Sequence, residues 1–134
     1  LNEFIQLSCY TFTGAEPEEA MFKLGLSHLT DRDISTLSDG EFQKGTIAAA
    51  IAKGARIILL DEPTAFLDVQ HRRNVLATLR NLCEETGAAV IFSSHDLHES
   101  LNVCSKVIAL GADRQCHISS ENLNATASAI FSKD

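Results

Sequence analysis

The stretch RIILLDEPTAFLD, residues 56–68, constrains the fold more than any other part of the chain. Its large aliphatic side chains, Ile57 to Leu60, run straight into two adjacent carboxylates, Asp61 and Glu62. A continuous apolar run, rather than an alternating one, is the pattern of a strand buried on both faces in a parallel sheet. Ending such a strand on paired acids is costly unless something cationic meets them. Open α/β sheets place their ligands at the carboxyl ends of their strands. There Asp61 can hold Mg²⁺ through water, because Mg²⁺ takes one or two carboxylates and leaves its other positions to water and phosphate oxygens. Glu62 is then placed to polarise an attacking water as general base. A solvated strand end with ordinary acidic residues also fits these letters.

Two further stretches carry chemistry. LSDGE, residues 37–41, opens a helix, and Ser38 followed by Glu41 is a capping box. A helix N-terminus has unpaired N–H groups and a partial positive charge, which suits an anion. Gly40 permits close backbone approach and Ser38 offers a hydroxyl; a merely well-capped helix is the plainer reading, and Asp39 beside an anion site is a complication. SSHD, residues 93–96, follows a second apolar run, and His95 at that strand tip can donate to a phosphate or orient Glu62. An ordinary surface histidine reads the same way. His95 and His98 have the spacing of metal ligands, but no second pair accompanies them.

The rest of the chain frames these stretches. Residues 2–10 read as an amphipathic helix with Phe4, Ile5 and Leu7 on its apolar side, and TFTG at 11–14 as a loop. Pro17 suits the first turn of a helix that Gly25 stops. The LSDGE helix runs to about Lys53, weakened at Gly45 by about 1 kcal/mol relative to alanine. Val69 to Glu85 is the strongest helical pattern, with Val69, Arg72, Leu76, Leu79 and Cys83 repeating at three to four and Gly87 at its end. AAVIFSS, KVIAL and QCHIS read as strands, DLHESLNVC as a short helix, GADR as a turn and residues 120–132 as a closing helix. Alternating helix and strand favours an α/β fold with a parallel sheet.

Composition narrows the partners. A net charge of −7 argues against nucleic acid, which needs a basic footprint, yet it leaves room for ATP held by a local loop and a metal. Cys9, Cys83, Cys104 and Cys116 have no regular spacing and read as free thiols in a reducing compartment. No apolar run approaches the roughly 20 residues that cross a bilayer.

Taken in order, LSDGE, IILLDEP, TAFLD and SSHD resemble the nucleotide-binding subunit of ATP-binding cassette (ABC) transporters. In that family a signature LSGGQ is followed by a helix, the Walker B strand hhhhDEP, a D-loop and a switch histidine, and the resemblance extends from about residue 20 to about residue 110. It implies a partial P-loop NTPase core with a parallel sheet: residues 1–53 would be a helical subdomain bearing the signature, and 54–134 the Walker B and switch-histidine half of the core. Ser38, Gly40 and Glu41 would meet ATP bound to the opposite subunit of a head-to-tail dimer. Asp61 would hold Mg²⁺, Glu62 and His95 would be catalytic, and Asp68, ending TAFLD, would communicate across the dimer.

The departures are informative. Asp39 stands for the first signature glycine, Glu41 for its glutamine, and Ala49 where many members have arginine. LSDGE and DEPTAFLD look like variants among importers of iron-siderophore, haem or cobalamin type. No GxxxxGK[ST] occurs, so the loop that cradles phosphates is missing from these residues. Since the sequence also begins as though within a helix, a fragment is expected, inactive alone. The strand AAVIFSS would then present an open edge prone to self-association. The parent is expected to be an ATPase subunit at the inner face of the membrane, docked on permease subunits. A soluble ABC ATPase and a non-catalytic interaction fragment are the alternatives.

Overall fold

Local signals set most of the element boundaries. The computed structural model describes residues 1–8, 16–110 and 116–120. Helix α1 spans Asn2–Ser8, and α2 spans Pro17–Lys23, with Pro17 at its first turn and Glu18 and Glu19 at its positive end. Gly25, at φ 69°, takes the left-handed conformation that lets the chain leave α2. Two 3-10 turns, Ser27–Leu29 and Ile34–Thr36, lead to α3 at Asp39–Ala52. Strand β1 is Ile57–Leu60, α4 is Val69–Thr86 and β2 is Ala89–Phe92. Gly87, at φ 70°, ends α4. Then come α5 at Leu97–Leu101, β3 at Val107–Leu110 and β4 at Cys116–Ser119. The loop read at 11–14, the GADR turn and the closing helix lie outside the described residues.

The chain divides into two compact units, residues 1–94 and 95–134. In the first, Leu1, Ile5, Met21, Leu26, Leu29, Ile47, Ile51, Ile58, Val75 and Leu79 form one buried cluster. Helix α3 runs through its centre, which is why seven of its fourteen residues are buried and its apolar positions lack a single face. Gly45 has a packing reason there: a Cβ at that position would stand 3.0 Å from Leu1 Cδ1. The Leu1 amino group donates to the carbonyls of Arg32 (2.6 Å) and Thr30 (3.2 Å). Leu7 is 70% exposed, so the apolar side of α1 reduces to Ile5 with Phe4 partly covered. On α4 the buried stripe is Val75, Leu76, Leu79 and Leu82; Val69 is exposed and Cys83 half-buried.

Strands β1 and β2 pair in parallel, with Ile57 opposite Ala89 and Leu60 opposite Phe92. This corrects the expectation that β1 is buried on both faces. Ile58 is 5% exposed, but Ile57 and Leu59 are 64% and 72% exposed. Side chains alternate along a strand, so Ile58 and Leu60 join Val90 against the core while Ile57, Leu59 and Ile91 share the other face. Among the described residues of this unit only one face of the two-stranded sheet is covered.

In the second unit β3 and β4 form an antiparallel pair, Val107 opposite Ser119 and Leu110 opposite Cys116. The two sheets are separate among the described residues. Asp96 caps α5 by accepting from the Glu99 backbone N–H at 3.3 Å. No helix of the described residues is long and apolar enough to cross a membrane.

Candidate functional site

The LSDGE turn is closed by its own residues. Ser38 is the N-cap of α3: its Oγ accepts from the Glu41 N–H (3.3 Å), and its N–H and hydroxyl both donate to Glu41 Oε2 at 2.8 Å. Both halves of the capping box are therefore present. These donors, the backbone N–H first and the hydroxyl second, hold the Glu41 carboxyl below the usual glutamate range. Asp39 sits exposed in the first turn, where the helix dipole favours a carboxylate. Gly40 is where α3 meets the DEPTAFLD loop: a Cβ there would lie 3.2 Å from both Leu67 Cδ2 and the Phe66 carbonyl oxygen.

The end of β1 is held from a distance. The Ser93 N–H donates to the Leu60 carbonyl at 3.1 Å, extending the parallel ladder past β2. The Ser93 hydroxyl then serves both acids: it donates to Asp61 Oδ1 at 2.6 Å and accepts from the Glu62 N–H at 2.9 Å. Glu62 is the one non-glycine residue with positive φ, 46°, among the described residues. An L-residue in the left-handed region costs about 1–2 kcal/mol, so this turn is strained at the second of the two acids. Gln43 of α3 donates to the Glu62 carbonyl at 3.4 Å, and the Ala65 N–H donates to it at 3.1 Å. The signature helix and the strand end thus share one loop.

Asp68 caps α4. It accepts from the His71 N–H at 2.9 Å and meets His71 Nδ1 at 2.7 Å, and the backbone bond above all depresses its carboxyl. Arg72 ties the same corner by donating to the Leu67 carbonyl at 3.2 Å. His95 is exposed and opens the second unit.

Of the candidate residues, Ser38 and Glu41 bind each other, Gly40 touches the loop between Glu62 and Asp68, and Asp61 and Glu62 share Ser93. Ser93 and Gln43 escape a reading by motif. Their positions carry a faint signal, a small hydroxyl at the tip of the neighbouring strand and an amide one turn into the signature helix. No group of three or more His, Cys, Asp or Glu among the described residues could hold a metal alone. Asp61 is exposed and keeps Oδ2 outside any hydrogen bond among the described residues, which fits an ion that takes one carboxylate and completes its shell with water and phosphate.

A parallel β–α–β unit, with two acids at one strand tip and the start of a helix against the same loop, is an α/β core whose ligand end lies at the strand tips. Residues 11–65 match the ABC transporter family model. The phosphonates import ATP-binding protein PhnC of Escherichia coli strain K12 is 35% identical over 115 residues, which are 83% of this chain and 43% of that protein. The cobalamin import ATP-binding protein BtuD of Halobacterium salinarum is 37% identical over 100 residues, 75% of this chain and 25% of that protein. Among solved structures, a metal-chelate type ABC transporter in an inward-facing conformation superposes with TM-score 0.77 at 26% identity, over 96% of this chain and 56% of that one. A dimeric, post-hydrolysis ATP-binding cassette bound to ADP and Pi gives 0.70 at 27% identity, over 79% and 50%. Residues 11–65 carry the ABC transporter domain, and most of the chain is similar to part of an ABC ATPase. The chain spans less than half the length of these curated relatives.

Proposed function

We propose that this chain is the signature and Walker B portion of the ATP-binding subunit of an ABC importer. The observation that carries the reading is the strand end itself: Asp61 and Glu62 fixed by one hydroxyl, with the LSDGE helix packed on the loop that follows. When bound, ATP would supply the phosphoryl group and Mg²⁺ would offset the charge on its oxygens, so that transfer depends on positioning and charge. Asp61 would hold the cation through Oδ2, its other oxygen being oriented by Ser93. Glu62 would accept the proton of the attacking water, from a backbone held at φ 46° beside Asp61. Ser38, Gly40 and Glu41 face the nucleotide of a second subunit in a head-to-tail dimer, His95 orients the reacting groups, and Asp68 transmits closure between subunits. Residues 1–53 then form the helical subdomain and 54–134 the Walker B half of the core.

Permease subunits in the membrane are the proposed partners, with the ATPase on the cytoplasmic face. Relatives named for phosphonate and cobalamin import support an importer. The cobalamin relative and the metal-chelate type structure favour the chelate group, iron-siderophore, haem or cobalamin, as cargo. Self-association of the isolated chain would run through the free edges of β1 and β2.

Calorimetry of the 134-residue chain with ATP and millimolar Mg²⁺ tests the assignment. Without GxxxxGK[ST] in these residues, no binding heat is expected; saturable micromolar binding would overturn the account. In a whole subunit containing this chain, Glu62→Gln should lower kcat by about 10²–10⁴-fold, the usual worth of a positioned general base. An unchanged kcat would remove Glu62 from that role.

A further inference from the structure

A cavity of about 430 Å³ lies within the first unit, between the end of α2, the middle of α3 and one side of α4. None of the residues assigned above to nucleotide chemistry lines it. From α3 comes Lys44, only 8% exposed. Lys44 takes part in no hydrogen bond or ion pair among the described residues. The stem of Lys44 is covered while its ammonium is not among the buried polar atoms, so the side chain offers an unmatched positive charge at the mouth of the cavity.

The opposite wall is a stripe of α4. His71, Asn74, Thr78 and Asn81 recur at three- and four-residue steps and therefore share one face. Thr78 spends its hydroxyl on the carbonyls of Asn74 (2.9 Å) and Lys23 (3.2 Å). Asn74 accepts from Gln70 through Oδ1 at 3.3 Å, which leaves its amino group as a donor, and Asn81 keeps its amide uncommitted among the described residues. The lining contains no carboxylate, although the chain carries 18 acidic residues against 11 basic ones. The carboxylates one layer out are already matched: Glu19 and Glu85 lie on Lys23 at 3.2 and 2.9 Å, and Asp68 lies on His71 at 2.7 Å. Lys44 is left as the unmatched charge of the lining.

We propose that this cavity binds a small oxyanion, a phosphate or phosphate monoester, with Lys44 supplying the charge and Asn74 and Asn81 the neutral donors. Lysine serves phosphate as a compact point charge and needs no bidentate geometry. The volume exceeds that of phosphate alone and leaves space for the organic part of an ester.

The test is amide NMR on the 134-residue chain, titrated with inorganic phosphate and with glycerol 3-phosphate at constant ionic strength, chloride serving as control. Saturating shifts confined to residues around Lys44 and along 74–81 are expected. Lys44→Met, which keeps the apolar stem, should weaken binding by about tenfold or more, as expected for losing a charged hydrogen bond. Asn81→Asp, at an exposed position that tolerates change, should weaken it similarly by adding a negative charge. Tighter binding of the ester identifies a phosphorylated metabolite, and equal binding identifies free phosphate; either supports the site. Shifts that fail to saturate, that scatter over exposed lysines and arginines, or that persist in both variants would overturn it. The outcome is independent of the ATPase assignment, which uses none of these side chains.

Discussion

The start of α3 and the end of β1 both present carboxylates beside a proposed nucleotide, yet they are held in opposite ways. Ser38 and Glu41 satisfy each other within one helical turn, by three hydrogen bonds between residues three apart. Asp61 and Glu62 depend on Ser93, 32 and 31 residues away, and Glu62 sits in a strained conformation besides. The first arrangement is self-sufficient and must open before Ser38 can serve a ligand. The second is already fixed in place, and its strain is the kind that persists at functional positions. The contrast separates a local device for starting a helix from a long-range device for aiming two acids.

The largest effect should come from the point where the two devices touch. Gly40 sits against the Phe66 carbonyl and Leu67, and one of those neighbours is backbone that cannot swing aside. Gly40→Val should cost about 1–3 kcal/mol through overpacking, measured by urea unfolding. A loss within about 0.5 kcal/mol would place Gly40 on an ordinary surface and separate the two regions.

Next come two changes of opposite sign at the strand end. Ser93→Ala leaves the Glu62 N–H without its partner and frees Asp61, and should cost about 1–2 kcal/mol. Glu62→Gly relieves about 1–2 kcal/mol of left-handed strain while adding the unfolded-state entropy of glycine, so it should stabilise the chain by up to about 1 kcal/mol. Thermal unfolding of both variants reads the difference. If Glu62→Gly destabilises, the turn is not strained and the contrast drawn above fails.

These effects also mark what the sequence reveals. Capping and stop signals act over a few residues, so Ser38, Pro17, Gly25 and Gly87 could be read directly, and the β1–α4–β2 alternation implied a parallel pair. Asp68 is equally legible as a cap, three residues before the N–H it accepts from. Ser93 and Gln43 act across 31 and 19 residues, and no local pattern encodes such pairing. The exposed face of β1 was hidden for another reason. IILL has the composition of a strand covered on both sides, and composition does not say which side the described helices cover. Lys44 lay inside an apolar helix, where its burial depends on α2 and α4 closing around it.

The smallest prediction tests the self-sufficient region by pH. Glu41 titrates below its ordinary value of 4.5 because Ser38 donates to its ionised form. A carboxyl depressed by folding contributes stability that is fully present above its unfolded value, and that stability is lost as pH falls through the folded value. Stability should therefore decline on acidification below about pH 4.5. Asp33 and Asp68 are also depressed and contribute in the same direction, so the wild-type slope alone does not isolate the cap. Glu41→Gln does, because it keeps the capping geometry and removes only the titration. Its unfolding free energy should fall less steeply with acid than that of the wild type, the two curves converging at low pH. Parallel curves would mean that Ser38 and Glu41 are not engaged in solution, and that the LSDGE turn stands open for a ligand without first breaking its own cap.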